Sequence, residues 1–283
     1  MSVTAVAPWY GSNRMLAKHV GEELSGCNWV GVPFAGGMTE IAQIKARSIN
    51  VNDKHRHVMN LACYLGTPEG PTRLADALDR LPFHPDTLRY AQNYCLEMER
   101  AGFDLGRKDN MVDEKWALNY FVVCWMTRSG AAGTDGEFSA GISTRWSASG
   151  GDSNTRFRSA TAALLGWGQI MRRCNFTCLD FREFLGNCKN DKGHGIYCDP
   201  PFPGPGDKYT HGLGPHGHDE LAERLRLFVS ARVVVRYYDV PMIRELYPEP
   251  RWTWRHLEGR KQTNDTAPEV LIINGPSYAE AST

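Results

Sequence analysis

Asp199-Pro200-Pro201-Phe202 closes the apolar run "GIYCDP" and opens a proline-rich exit. An acid and a ring so placed suit a flat heterocycle carrying an amino group: the ring stacks on it and the carboxylate accepts its amino protons. The paired prolines fix the direction of the Pro200 carbonyl. Two acceptors on one NH2 favour a pyramidal nitrogen whose lone pair is free to attack, which is catalysis by positioning and needs no strong base. A stiff turn is the plainer alternative. Asp180-Phe181, at the end of "NFTCLD", repeats the pairing of acid and aromatic.

Further candidates lie elsewhere in the chain. "PFAGGMTEIAQI" places Phe34, Gly36 and Gly37 at a strand-to-helix turn, where glycines let a ligand close onto the backbone. It lacks the full G-x-G-x-x-G pattern, and a tight turn also explains it. Asp53, ending "SINVND", could accept both hydroxyls of a ribose or cap the following helix. Arg145, Trp146, Arg156, Phe157 and Arg158 mix cations and rings in a Gly/Ser/Thr-rich stretch from 129 to 159. That mixture suits phosphate contact and stacking, or a solvated loop with a few anchoring rings. His211, His216 and His218 invite a metal, but the flanking glycines and proline argue for a lid, and no metal is expected.

These residues need a frame. Seven short runs read as buried strands: 28–34, 48–53, 175–180, 195–200, 232–238, 251–257 and 269–275. Helical patterns follow the first ("TEIAQIKARS") and second ("KHRHVMNLACYL") and precede the fifth ("HDELAERLRLFVSA"). Alternation of this kind predicts an α/β fold with a mainly parallel sheet and helices on both faces. Residues 71 to 127 carry helical periodicity without strands, with Asp86 and Asp113 as expected N-caps. With the mobile loop expected after them, they predict a helical lobe over 66–160 inserted into a sheet domain of 1–65 and 161–283.

Bulk properties exclude little. The 283 residues can bury a substantial core, and 32 basic residues balance 32 acidic ones. Net charge therefore points to no polyanion, although a local basic face still could bind one. No long apolar run predicts a membrane span. Eight dispersed cysteines, most within apolar runs such as "FVVCWM", suggest a reduced, cytoplasmic setting.

In chain order, "PWYGSN", "PFAGG", "VND", "LDF", "CDPPF" and "PEVLIING" resemble the Dam-like class of adenine-N6 DNA methyltransferases, over residues 8 to 275. The resemblance implies a Rossmann-like class I methyltransferase sheet, S-adenosylmethionine as donor, and a helical target-recognition lobe. It assigns Trp9, Tyr10, Gly11 and the neighbouring Asn13 to the donor, together with Phe34, Gly36, Gly37, Asp53, Asp180 and Phe181. It makes Asp199 to Phe202 the catalytic tetrapeptide, with the target adenine flipped from DNA. Arg145, Arg156, Arg158 and Arg236 are the expected nucleic-acid contacts.

Two positions depart from the family. Asn13, beside Arg14, stands where the family usually has lysine. Arg236 stands where Ser or Asn is usual; it could touch the base or a phosphate, or pair with Asp239. An RNA adenine-N6 methyltransferase and a catalytically inactive DNA-binding relative are the alternative readings. A monomer or weak dimer in a bacterial or phage-infected cell is expected.

Overall fold

A computed structural model of the chain describes residues 5–12, 15–102, 112–128, 131–144, 146, 151–214, 216–257 and 268–279. All seven expected strands are present: β1 (Trp29–Val32), β2 (Ser48–Asn52), β3 (Cys174–Thr177), β4 (His194–Cys198), β5 (Arg232–Tyr238), β6 (Thr253–His256) and β7 (Glu269–Ile273). They form one mostly parallel sheet in the order β3-β2-β1-β4-β5-β7-β6, an α/β architecture compatible with a Rossmann-like fold. β1 runs parallel to both β2 and β4, and β4 to β5, whereas β7 is antiparallel to β5 and β6. "RVVVRYY" is buried on both faces, which is why β5 reads as an almost unbroken apolar run.

The helices among the described residues are α1 (Ala17–Glu23), α2 (Arg56–Leu65), α3 (Gly70–Asp79), α4 (Pro85–Arg100), α5 (Glu114–Met126), α6 (Ser153–Ala162), α7 (Leu164–Met171), α8 (Phe181–Asn187), α9 (Gly217–Leu225) and α10 (Pro241–Leu246). None is long and apolar enough to cross a membrane.

The chain divides into two compact units. One comprises Met1–Ser12, Gly36–Thr39 and His55–Cys178, and the other Asn13–Ala35, Glu40–Lys54 and Leu179–Thr283. The first is built around α5, which is buried along most of its length from Trp116 to Met126 and packs against α2, α3, α4 and α6. A helix apolar on all sides belongs in an interior. In the second unit, Ile196, Cys198, Val233, Val235, Tyr237, Val270 and Ile272 form one face of the sheet, packed with residues of α8, α9 and α10.

Three local expectations fail, each for a visible reason. "TEIAQIKARS" forms only a 3-10 turn, Glu40–Gln43. That turn lies so close to α1 that a Cβ at Gly21 would sit 2.7 Å from the Gln43 carbonyl oxygen. Asp86 does not cap α4; Pro85 takes the first helical position, and the His84 ring accepts from the Asp86 N–H at 3.1 Å. Asp113 does cap α5, accepting from the Trp116 N–H at 2.7 Å. The Gly/Ser/Thr-rich stretch is not all loop, since its end forms α6, capped by Asp152.

Candidate active site

In the second unit the strand order reverses between β1 and β4, the place where open α/β sheets bind ligands beyond their strand ends. Phe34 follows β1, and Asp199 to Phe202 follow β4. The β4–β5 register pairs Cys198 with Val235, so Asp199 and Arg236 come next as neighbours on one face. Arg236 donates from Nη1 to Asp199 Oδ2 at 2.7 Å, and from Nη2 and Nε to Glu269 Oε2 at 2.9 and 3.1 Å. Its side chain is 2% exposed, against 21% for each carboxylate. The guanidinium carbon also lies 5.3 Å from the Phe202 ring centroid. Asp239 is held instead by Arg244 and His256.

Two further buried groups share this electrostatic environment. Glu40, 7% exposed, has no hydrogen-bond partner for Oε1 among the described residues, and neither has the Tyr197 hydroxyl. Burial, then the charge of Asp199, pushes the Glu40 carboxyl up to about 7, with Arg236 opposing. Burial also raises Asp199, again against Arg236. Phe202 is wedged by the two tyrosines that end β5, 5.6 Å from Tyr237 and 4.7 Å from Tyr238 between centroids. The exit from the tetrapeptide curls back, with the Gly206 N–H donating to the Phe202 carbonyl at 2.7 Å. A Cβ at Gly206 would meet the Pro201 carbonyl carbon at 2.8 Å.

The other strand ends of this unit are more committed. Asp180 caps α8 through the Arg182 N–H, and is paired with the Arg182 side chain at 3.0 Å and Lys54 at 3.4 Å. Burial raises its pKa, but the hydrogen bonds from Arg182 outweigh that and hold the carboxyl below its usual range. Phe181 is 5% exposed, with the Arg182 guanidinium 4.5 Å from its centroid and Phe34 at 5.4 Å. Asp53 directly follows β2, while the cap of α2 is His55, so the capping role falls to the histidine.

Asn52, which sequence reasoning passed over, bonds the Pro33 carbonyl at 2.9 Å and both backbone groups of Leu179, at 3.0 and 2.8 Å. It fixes the chain before Phe34 to the chain before Asp180. A polar residue next to Val51 in a run read as a buried strand was the available signal.

In the first unit, Trp9 forms a bridge with Ala132, and the Tyr10 N–H donates to the Ala132 carbonyl at 3.3 Å. Gly11 is exposed, with φ +73°. Gly36 makes room for the indole of Trp9 and Gly37 for the chain beside it. A Cβ on Gly36 would lie 2.9 Å from the ring, one on Gly37 2.5 Å from the Ala7 carbonyl oxygen, and one on Gly133 2.4 Å from the ring. Packing against Trp9 and Ala7 already leaves no room for a Cβ at this turn.

Trp9 meets His55 edge-on at 5.1 Å. His55 Nε2 is 2.7 Å from Glu137 Oε1, and its Nδ1 faces the Val58 N–H, which puts the ring proton on Nε2. Glu137 also accepts from the Gly133 N–H at 2.8 Å and the Tyr120 hydroxyl at 3.3 Å. Sequence reasoning missed Glu137 because it lies in a stretch whose composition reads as loop.

Asn13, Arg14 and Arg145 lie outside the described residues. Arg158 donates to the Leu78 and Leu81 carbonyls at 3.0 and 2.7 Å, closing the C-terminal end of α3, and Arg156 reaches the Thr127 carbonyl at 3.4 Å. Trp146 is 94% exposed. His218 is buried and bonds the Tyr237 hydroxyl at 2.9 Å, whereas His216 is exposed. No family model matches the chain, and no curated protein matches it.

Proposed function

We propose that the protein is an S-adenosylmethionine-dependent methyltransferase acting on the N6 amine of adenine in DNA. The observation that carries this reading is the position of Asp199-Pro200-Pro201-Phe202 at the end of β4, beside the reversal of strand order. The surrounding charge supports a cationic donor. Glu40, Asp199 and Glu269 set three carboxyls around one guanidinium, and Glu40 Oε1 is buried without a partner among the described residues.

S-adenosylmethionine supplies an electrophilic methyl group on a sulfonium. The protein's part is placement: Asp199 and the Pro200 carbonyl hold the amine, Phe202 stacks on the base, and Asp53 accepts from the ribose. The helical unit is the target-recognition part of this reading, with the base flipped out of the duplex.

Radiolabelled methyl transfer to matched DNA and RNA duplexes, with calorimetry of donor binding, tests the assignment. Asp199→Ala should lower transfer by on the order of 10²–10³-fold or more while donor affinity stays near that of wild type. Near-normal turnover by that variant would sink the reading.

A further inference from the structure

Arg236 departs from the family resemblance, and it contacts both ends of the tetrapeptide. Its Nη1 grips Asp199 Oδ2 at 2.7 Å, and its guanidinium carbon faces the Phe202 ring at 5.3 Å. Glu269 anchors it from β7 through Nη2 and Nε. Such a planar, doubly held guanidinium has little freedom to turn. A lysine could not span both contacts, because an ammonium is a point donor on a flexible stem.

We infer that Arg236 is a positioning residue, which fixes the Asp199 carboxylate and the Phe202 ring together and leaves Oδ1 of Asp199 to accept the target amine. This rests on the methyltransferase reading above. Arg236 opposes the burial that raises the Asp199 carboxyl and so favours its ionised form, which can act only as an acceptor. An amine, a pure donor at this edge, fits the remaining oxygen. A carbonyl oxygen there would face an acceptor and be repelled, so the pair also selects amino-bearing bases.

The charged and titratable groups facing Asp199 are Arg236 and Tyr237 on β5, Glu269 on β7, Glu40 on the 3-10 turn, and Tyr197 and Cys198 on β4. Their signs make a test that mere loss of packing would not mimic. Carbon-13 NMR of the aspartate carboxyls, with Asp199 assigned by its loss in Asp199→Asn, reads the titration directly and without turnover. In Arg236→Met the Asp199 midpoint should rise by about one pH unit or more, because the nearest cation is gone. In Glu269→Gln it should fall, because a neighbouring anion is gone and Arg236 remains.

In the kinetic arm, Arg236→Met should lower kcat by about a hundredfold and move the acid limb of the rate profile upward with the NMR midpoint. Donor affinity by calorimetry should stay within about threefold of wild type. Arg236→Lys should restore the midpoint but only part of kcat.

A folded Arg236→Met protein with unchanged midpoint and kcat would overturn the inference, as would a shifted midpoint with kcat intact. If Arg236→Met does not fold, Glu269→Gln decides alone, and a midpoint that fails to fall overturns it. Wild-type protein that binds no donor and transfers no methyl group would instead remove the methyltransferase reading, and the Asp199 titration would then decide Arg236's hold on the carboxylate separately.

Discussion

Each unit buries a polar cluster, and the two are built on different terms. In the helical unit Glu137 receives three donors: the His55 ring, the Tyr120 hydroxyl and the Gly133 N–H. At the end of β4, three carboxyls share Arg236, and Glu40 Oε1 and the Tyr197 hydroxyl have no partner among the described residues. A satisfied buried network holds structure in place, whereas an under-satisfied one is stabilised by whatever completes it. Glu23 shows that the second unit can pair a buried carboxylate fully. Buried there, it accepts from Arg232, Arg255, the Ser277 hydroxyl and the Tyr278 N–H. Buried polar atoms without a partner among the described residues also occur at His194, Tyr247 and Trp252 of this unit, but those at the candidate site stand among carboxyls.

If that contrast is right, Glu137→Ala should do the most damage to stability. It strands a histidine proton, a hydroxyl and a backbone N–H in the interior, and should cost about 3–5 kcal/mol. Urea unfolding checks the size. A loss below about 1 kcal/mol would mean that water replaces the carboxylate and the network is not structural.

Gly133→Ala attacks the same region through shape. Gly133 has φ +81°, and its new Cβ would press on the Trp9 indole from 2.4 Å. Left-handed backbone and overpacking together should cost about 2–3 kcal/mol. Thermal melts followed by tryptophan fluorescence report both the loss and the displaced indole. An unperturbed melt would show that Trp9 moves aside easily, leaving close ligand approach as the reason for glycine at the turn.

The legibility of the sequence follows the same division. Strand runs such as "RVVVRYY" and "EVLII" could be read because burial on both faces makes them locally apolar. The tetrapeptide stood out because acid, proline and aromatic chemistry lie within four residues. Partnerships over long separations could not be read. Arg236 meets Asp199 across 37 positions and Glu269 across 33, and Asn52 reaches Leu179 across 127. Sequence offered Asp239 as the near partner of Arg236, but the parallel register brings Asp199 beside it. Local chemistry could also shift a prediction by a residue or two, as when Pro85 moved the cap of α4 from Asp86 to His84.

Glu40 gives the finest test of the contrast, because its effect should change with pH. Its carboxyl is pushed from an ordinary 4.5 up to about 7, with burial the largest cause and the Asp199 charge next. A carboxyl whose folded pKa is raised binds more protons folded than unfolded between those values. Its contribution is therefore intact below about pH 4.5 and falls as pH rises to about 7, after which the loss is constant. The full shift converts to roughly 3 kcal/mol. Glu40→Gln should recover about 1–2 kcal/mol of it at pH 8, since a buried amide still lacks partners, and little or nothing near pH 4.5. Paired urea titrations at the two pH values measure the difference. A gain equal at both would trace the effect to packing. A loss at pH 8 would mean that Glu40 is charged and paired in the fold, so that the site at β4 is as well satisfied as the one around Glu137.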